Sequence, residues 1–190
     1  MHSDDTIDLL KARAELAEWM DPQEFRRRIC DFEKRVGPDK KFNDNKYKFL
    51  REAWVLAEVS KHKPFVKIRL APSAEQWPDA FAQTENDAEL KIEITSAQTP
   101  GRALGTEFRP DQESKDYDPI EKPEKYAEVL EDTIKKKVND KNRGCALVVE
   151  VNIVNAIITP EEKKRAILSV KGQYTPEFKH LWILWNGKVF

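Results

Sequence analysis

An almost continuous apolar run, C-A-L-V-V-E-V-N-I, occupies residues 145–153. Such a run is typical of a β-strand that is covered on both faces. Pro123 opens an amphipathic pattern that continues to about Asn142, and this pattern predicts a long helix directly before the strand. The apolar positions of that helix recur every four residues and are Tyr126, Leu130, Ile134 and Val138. A helix that crosses over into a buried strand indicates an α/β fold.

The remaining elements surround this crossover. We predict helices over residues 5–19, 22–36, 43–60 and 160–170, and strands over residues 65–70, 79–83, 90–95, 180–185 and 188–190. The last two strands flank Asn186-Gly187, the preferred two-residue hairpin turn. We therefore expect one mixed sheet flanked by helices, in a single domain. Its parts are an N-terminal helical extension (1–42), a core (43–153), and a C-terminal helix with an edge hairpin (154–190).

The composition narrows the class of protein. The chain has 190 residues, of which 39% are hydrophobic and 35% are charged, and its formal net charge is −1. These values suit one soluble domain with its own core. The balanced charge argues against a strongly electrostatic, sequence-blind nucleic-acid binder, although a basic patch can exist within a neutral total.

Cysteine and histidine give no sign of a zinc site. Cys30 and Cys145 lack metal-ligand spacing, and we expect both to be reduced thiols. The three histidines lie far apart in the chain. No apolar run approaches the roughly 20 residues of a membrane span, and the N-terminus is no signal peptide. We therefore expect a cytoplasmic protein that has no membrane partner.

Two carboxylates mark the predicted hairpin at the start of the sheet. Asp79 follows Pro78 and opens one strand, while Glu93 lies inside the next strand. The polar residues 84–87 between them are suited to a turn. An antiparallel pair would bring the two acids together, and Mg²⁺ and phosphoryl transfer at a metal require such neighbours. In the alternative interpretation, Asp79 caps a turn and Glu93 is a solvated outer-face residue.

Residues 43–153 resemble the PD-(D/E)XK nuclease superfamily. The resemblance is carried by the motifs Pro78-Asp79 and Glu93-Ile94-Thr95 together with the order of the helices and strands. The resemblance is to a branch that has E-I-T in place of E-x-K. It implies a restriction-endonuclease-like αβββαβ core and a DNA endonuclease that hydrolyses phosphodiesters. In that family the acid positions, here Asp79 and Glu93, bind Mg²⁺ or Mn²⁺. The alternative is a catalytically inactive module that binds nucleic acid or a protein partner.

The family usually has a lysine where this chain has Thr95, and this lysine orients or deprotonates the attacking water. Three explanations remain open. Lys137 on the crossover helix could replace the lysine, or the metal alone could activate water that Thr95 orients, or the site could be inactive. Lys135, Lys136 and Lys137 could equally form a solvated helix face.

The family often adds a glutamate from the helix before the first strand. Glu52 and Glu58 are both available, and a helical projection on Leu50, Ala53 and Trp54 favours Glu58. Glu52 points away from that face in the same projection.

Two arginines follow the motif, in the segment S-A-Q-T-P-G-R-A-L-G-T-E-F-R. Arg102 and Arg109 could bind a phosphate of the substrate. Alternatively, Arg102 pairs with Glu107 and only holds the loop. The partner that we expect is DNA, and a homodimer is one assembly that the chain could form.

Overall fold

The strands of the protein follow chain order within one sheet. A computed structural model describes residues 8–36, 45–72, 77–86, 88–102, 118–154 and 156–190. Within these ranges it contains five α-helices and six β-strands, and the strands are ordered β1-β2-β3-β4-β5-β6. The sheet is mixed, because it contains both antiparallel and parallel pairs. The predicted α/β class and the mixed sheet are therefore confirmed. No helix in the described ranges is long and apolar enough to cross a membrane.

The chain divides into two compact units, and the boundary falls within β3. Unit 1 comprises residues 1–90 and 103–114, and unit 2 comprises residues 91–102 and 115–190. The prediction of a single nuclease-like domain stays a prediction.

Unit 1 combines three helices with an antiparallel strand pair. Its elements are α1 (Leu9–Leu16), α2 (Pro22–Arg35), α3 (Lys48–Ser60), β1 (Phe65–Leu70), β2 (Ala80–Thr84) and the first residues of β3 (Glu89–Gln98). The Asp21 side chain accepts a hydrogen bond of 2.7 Å from the Gln23 amide, and Pro22 occupies the first turn. This cap is the one that the sequence predicts for α2. The Thr84 amide donates to the Ala88 carbonyl, which places the turn after β2 where the polar cluster predicts it.

Unit 2 is built on three parallel strands. Its elements are the rest of β3, α4 (Pro123–Lys135), β4 (Ala146–Asn152), α5 (Pro160–Tyr174), β5 (His180–Trp185) and β6 (Lys188–Val189). β4 pairs in parallel with β3 and with β5, and β6 closes the C-terminal hairpin. Both turn residues have positive φ, 48° at Asn186 and 70° at Gly187, as the predicted hairpin turn requires.

The apolar face of α4 packs into the core of unit 2. Tyr126, Leu130 and Ile134 are each at most 1% exposed, as their spacing predicts. Burying a side chain of this size contributes about 1.5–3 kcal/mol. The strand residues in the same core include Leu147, Val149, Leu181 and Ile183. This packing determines which face of the parallel strands is covered by helix.

The predicted extension of the crossover helix to residue 142 is wrong, because α4 ends at Lys135. The amides of Lys137 and Val138 donate to carbonyls three residues back, which tightens the last turn. The side chains of Asn139 and Asn142 then bond to the backbone and compete with further helix. Lys137 therefore lies beyond the helix, in a turn, and not on it.

Candidate functional site

Glu93 has a buried side chain at the end of a row of leucines that crosses the parallel strands. It lies in register with Leu147 on β4, which in turn pairs with Leu181 on β5. Residues that pair in register share a face of the sheet, and both leucines are at most 2% exposed. Glu93 itself is 8% exposed. A carboxylate among such neighbours requires a charged or hydrogen-bonding partner.

Lys137 supplies that partner. Its Nζ donates to Oε1 of Glu93 at 2.6 Å, across 44 residues of sequence. The Lys137 and Glu93 side chains are 29% and 11% exposed, respectively. We call these two residues the ion pair. An ammonium group from the turn after α4 therefore reaches Glu93 on β3.

The turn that carries Lys137 is held by a buried asparagine. Asn142 is 4% exposed, and its Nδ2 donates to the Lys137 carbonyl at 2.8 Å. The Asn142 amide donates to Oδ1 of Asn139 at 3.0 Å, and the Cys145 amide donates to the Asn142 carbonyl at 3.0 Å. These bonds fix the backbone at Lys137, so the ion pair does not depend on the long lysine side chain alone.

Thr95 lies two residues after Glu93 on β3, and its side chain is on the same face. Its neighbours in register are Val149 and then Ile183, both fully buried. A hydroxyl at this position carries no charge. The positive charge beside Glu93 comes from Lys137 and not from the third motif position.

Unit 1 contains a second carboxylate centre, formed by Glu52 on α3 and Asp79 before β2. Burial raises the pKa of Glu52, and the negative charge of Asp79 raises it further. Lys48 forms an ion pair with Glu52 at 2.5 Å, and Lys48 and Arg13 both act to lower the pKa. We call Glu52 and Asp79 the acid pair. Asp79 is also anchored through its carbonyl, which accepts from the Ala71 amide at 2.9 Å.

The sequence projection favoured Glu58 because it centred the buried face of α3 on Leu50, Ala53 and Trp54. In the structure the buried side chains cover a wider arc, which includes Val55, Leu56 and Val59. At about 100° per residue, Glu52 lies inside that arc. The Glu58 carboxylate pairs with Lys61 at 2.5 Å, one turn along the same helix. The wider burial of α3 is the signal that the projection missed.

The two predicted arginines have different outcomes. Arg102 is anchored within unit 2, where Nη1 donates to the Asn152 carbonyl at 3.1 Å and to its Oδ1 at 2.9 Å. A phosphate-binding role for Arg102 stays a prediction. Arg109 and Glu107 lie outside the described residues.

Metal binding can be tested against these two centres. A divalent cation would relieve the repulsion within the acid pair, because its positive charge offsets both carboxylates. Mg²⁺ typically binds one or two carboxylates and completes its coordination shell with water and phosphate oxygens. In the ion pair the Lys137 ammonium already neutralises Glu93. Within the described ranges, no three His, Cys, Asp or Glu side chains come together as a ready metal site. The prediction that Asp79 and Glu93 share one ion involves one residue of each unit and stays a prediction.

A cavity of about 750 Å³ lies elsewhere in unit 2, and none of the predicted site residues lines it. Its walls are Pro100, residues 118–122 and one side of α4. Lys125 and Glu128 on this wall form their own ion pair at 2.6 Å.

Comparison with known proteins gives no further guide to function. No family model, curated protein or solved structure matches this chain. Function therefore has to be argued from the two carboxylate centres themselves.

Proposed function

We propose that this protein is a metal-dependent phosphodiester hydrolase, a DNA endonuclease of the PD-(D/E)XK type with a restriction-endonuclease-like αβββαβ core. The observation that carries the proposal is the ion pair. Lys137 Nζ lies 2.6 Å from Glu93, on the strand whose motif lysine is replaced by Thr95. A lysine that has moved to another element while keeping its contact with the motif glutamate preserves the charge arrangement that the chemistry requires.

Each residue then has a defined task. The acid pair supplies carboxylates for Mg²⁺ or Mn²⁺, and Glu93 holds Lys137 in place. When bound, the metal supplies Lewis acidity and lowers the pKa of a coordinated water. Lys137 orients the attacking water as a hydrogen-bond donor, and its positive charge offsets the negative charge that develops on the phosphate. Thr95 accepts or donates a hydrogen bond beside Glu93.

The second candidate is an inactive nuclease-fold module that binds nucleic acid or a protein. The same ion pair supports it, because the Lys137 ammonium already balances the negative charge of Glu93 that a metal ion would otherwise balance. The two candidates differ in one measurable property, which is metal-dependent cleavage.

Plasmid and linear DNA, incubated with purified protein in Mg²⁺, Mn²⁺ or chelator, separate these candidates. The hydrolase predicts cleavage that requires a metal and is lost in Asp79→Ala and in Glu93→Ala. Glu58→Ala is a matched control, because Glu58 is a helical glutamate that already pairs with Lys61. Nucleic-acid binding that survives the substitutions, without cleavage by the wild type, supports the inactive module.

Calorimetric titration of Mg²⁺ and Mn²⁺ provides an independent test. The hydrolase predicts binding in the millimolar range or tighter, weakened by Asp79→Ala and by Glu52→Gln. The absence of detectable heat for either ion at millimolar concentrations would rule out the hydrolase.

A further inference from the structure

Three lysines meet where the parallel strands of unit 2 begin. The register pairs Ile92 with Ala146 and Ala146 with His180. The residues one position earlier in the chain are Lys91, Cys145 and Lys179. The Lys179 amide donates to the Cys145 carbonyl at 2.9 Å. Two lysine side chains therefore flank Cys145 in one row across the sheet.

The third lysine comes from the turn before β4. The Lys141 carbonyl lies 3.7 Å from Sγ of Cys145, which ties its backbone to the same row. Lys91, Lys141 and Lys179 are all exposed, and we call them the lysine cluster. Cys145, in contrast, is 1% exposed.

The electrostatics of the thiol agree with this placement. Burial raises the pKa of Cys145, and Glu93 adds to that effect. The three ammonium groups of the lysine cluster all act in the opposite direction, to lower the pKa. All three cations thus lie within electrostatic range of the same thiol. The whole chain has a net charge of only −1, so this concentration of positive charge is local.

The lysine cluster is also presented on an ordered backbone. Lys91 lies in β3, Lys179 directly precedes β5, and the turn that bears Lys141 is bonded through Asn139 and Asn142. Cations held at fixed points along one edge of a sheet can contact successive phosphates with little ordering cost. Because lysine acts as a point charge, such contacts do not depend on the base sequence.

We propose that the lysine cluster binds the phosphodiester backbone of a nucleic acid. The proposal rests on the proposed function for its choice of polyanion, and it adds the surface on which the substrate is held. Neither Arg102 nor Arg109 is needed for this contact. DNA and RNA share the backbone chemistry, so experiment must separate them.

Fluorescence anisotropy in the presence of chelator tests the proposal without any cleavage. The probes are labelled duplex DNA, single-stranded DNA and single-stranded RNA, each titrated at several salt concentrations. The triple variant Lys91→Gln, Lys141→Gln, Lys179→Gln should weaken binding at low salt by about tenfold or more. Its salt dependence, as log K against log salt, should be shallower by about one per lysine removed.

The control is a second triple variant, Lys122→Gln, Lys164→Gln, Lys188→Gln. These lysines are also exposed and belong to the same unit. Lys122 precedes α4 at the end opposite Lys137, and Lys188 pairs near the far end of β5. The control should bind like the wild type. Equal losses in both variants would overturn the proposal, because the effect would then reflect total charge.

Two further results separate this proposal from the proposed function. Binding in chelator by a protein that cleaves nothing supports the lysine cluster and refutes the hydrolase. A wild type that binds none of the three probes, or binds only anionic lipid vesicles, overturns the lysine cluster. If the triple Gln variant unfolds, two other variants replace it. Lys→Arg at all three positions should bind like the wild type. Lys141→Gln alone should lower the slope of the salt dependence by about one.

Discussion

The acid pair in unit 1 and the ion pair in unit 2 balance their charges in opposite ways. In the acid pair, two carboxylates act on each other, and Glu52 has a raised pKa because of burial and of Asp79. In the ion pair, a carboxylate in a row of buried leucines is neutralised by one ammonium at 2.6 Å. The first centre combines two carboxylates, one of which pairs with Lys48, whereas in the second centre one carboxylate pairs with one lysine.

This difference shows that the two motif acids cannot be assumed to have equal roles. The family pattern treats the Asp and Glu positions as equivalent metal ligands. In this chain, Asp79 is the neighbour of another acid, while Glu93 is the neighbour of a lysine. Each of the following experiments changes one of the two centres and asks whether the contrast survives.

The largest expected effect is on catalysis. Lys137→Ala should lower the initial rate of metal-dependent DNA cleavage by about 100-fold or more, because it removes the positive charge beside Glu93 that orients the water and offsets charge on the phosphate. Lys136→Ala removes the neighbouring exposed lysine and should leave the rate unchanged. Equal rates for Lys137→Ala and the wild type would show that the ion pair is purely structural.

The next effect is on stability. Lys137→Met keeps the side-chain length but leaves the Glu93 carboxylate, whose side chain is 11% exposed, without its ammonium. We expect the free energy of unfolding to fall by about 1–3 kcal/mol, measured by urea denaturation at neutral pH. The double variant Lys137→Met, Glu93→Gln should recover part of the loss, because no buried charge then remains. A single variant as stable as the wild type would contradict the role assigned to the pair.

The acid pair should respond in the opposite direction. The folded-state pKa of Glu52 lies above its ordinary value of 4.5, so this group reduces stability as the pH rises from 4.5 through the folded pKa. Glu52→Gln should remove that decrease and raise Tm at neutral pH by about 2–4 °C, which corresponds to roughly 1 kcal/mol in a chain of this size.

Thermal unfolding of wild type and of Glu52→Gln, compared over a series of pH values from 4.5 upwards, measures the effect. Millimolar Mg²⁺ should raise the Tm of the wild type more than that of Glu52→Gln, because only the wild type has both acids. A variant that is less stable than the wild type at every pH would show that the Lys48 contact outweighs the repulsion by Asp79.

The smallest effect is expected at an exposed reference pair. Hydrogen bonds from Arg27 and Arg28 lower the pKa of Glu24 to about 2. A lowered pKa contributes stability above the ordinary value of 4.5, and this contribution is lost as the pH falls from 4.5 towards 2. Solvent screens these charges, so Glu24→Gln should lower Tm by less than about 2 °C at neutral pH. A loss as large as that of Lys137→Met would mean that burial does not distinguish the ion pair from a surface pair.

Much of the fold could be predicted because its signals are local. The cap at Asp21-Pro22, the Asn186-Gly187 turn and the four-residue spacing of α4 each depend on a few consecutive residues, and all three are confirmed. The end of α4 could not be predicted in this way. It depends on Asn142, which is buried beyond the helix and whose side chain bonds to the Lys137 carbonyl five residues back.

The candidate site was less predictable because it depends on contacts between distant parts of the chain. That Lys137 reaches Glu93 follows from how the turn after α4 is held against β3. The sequence pointed to Lys137 as the replacement lysine, but it placed this residue on the crossover helix, whereas the structure places it in the turn after α4. The preference for Glu58 over Glu52 was based on three apolar residues, whereas the buried arc of α3 is set by everything packed around it.

The parallel arrangement of β3, β4 and β5 has a consequence for the order in which the chain folds. Parallel neighbours cannot be joined by a tight turn, and each pairing closes a long loop before its contacts form. The hairpins at residues 84–88 and 186–187 close locally, whereas the ion pair joins residues 44 positions apart. We therefore expect the ion pair and the lysine cluster to form late in folding. A nascent or partly folded chain would then lack both, so its capacity to hold a polyanion would arise only when unit 2 is complete.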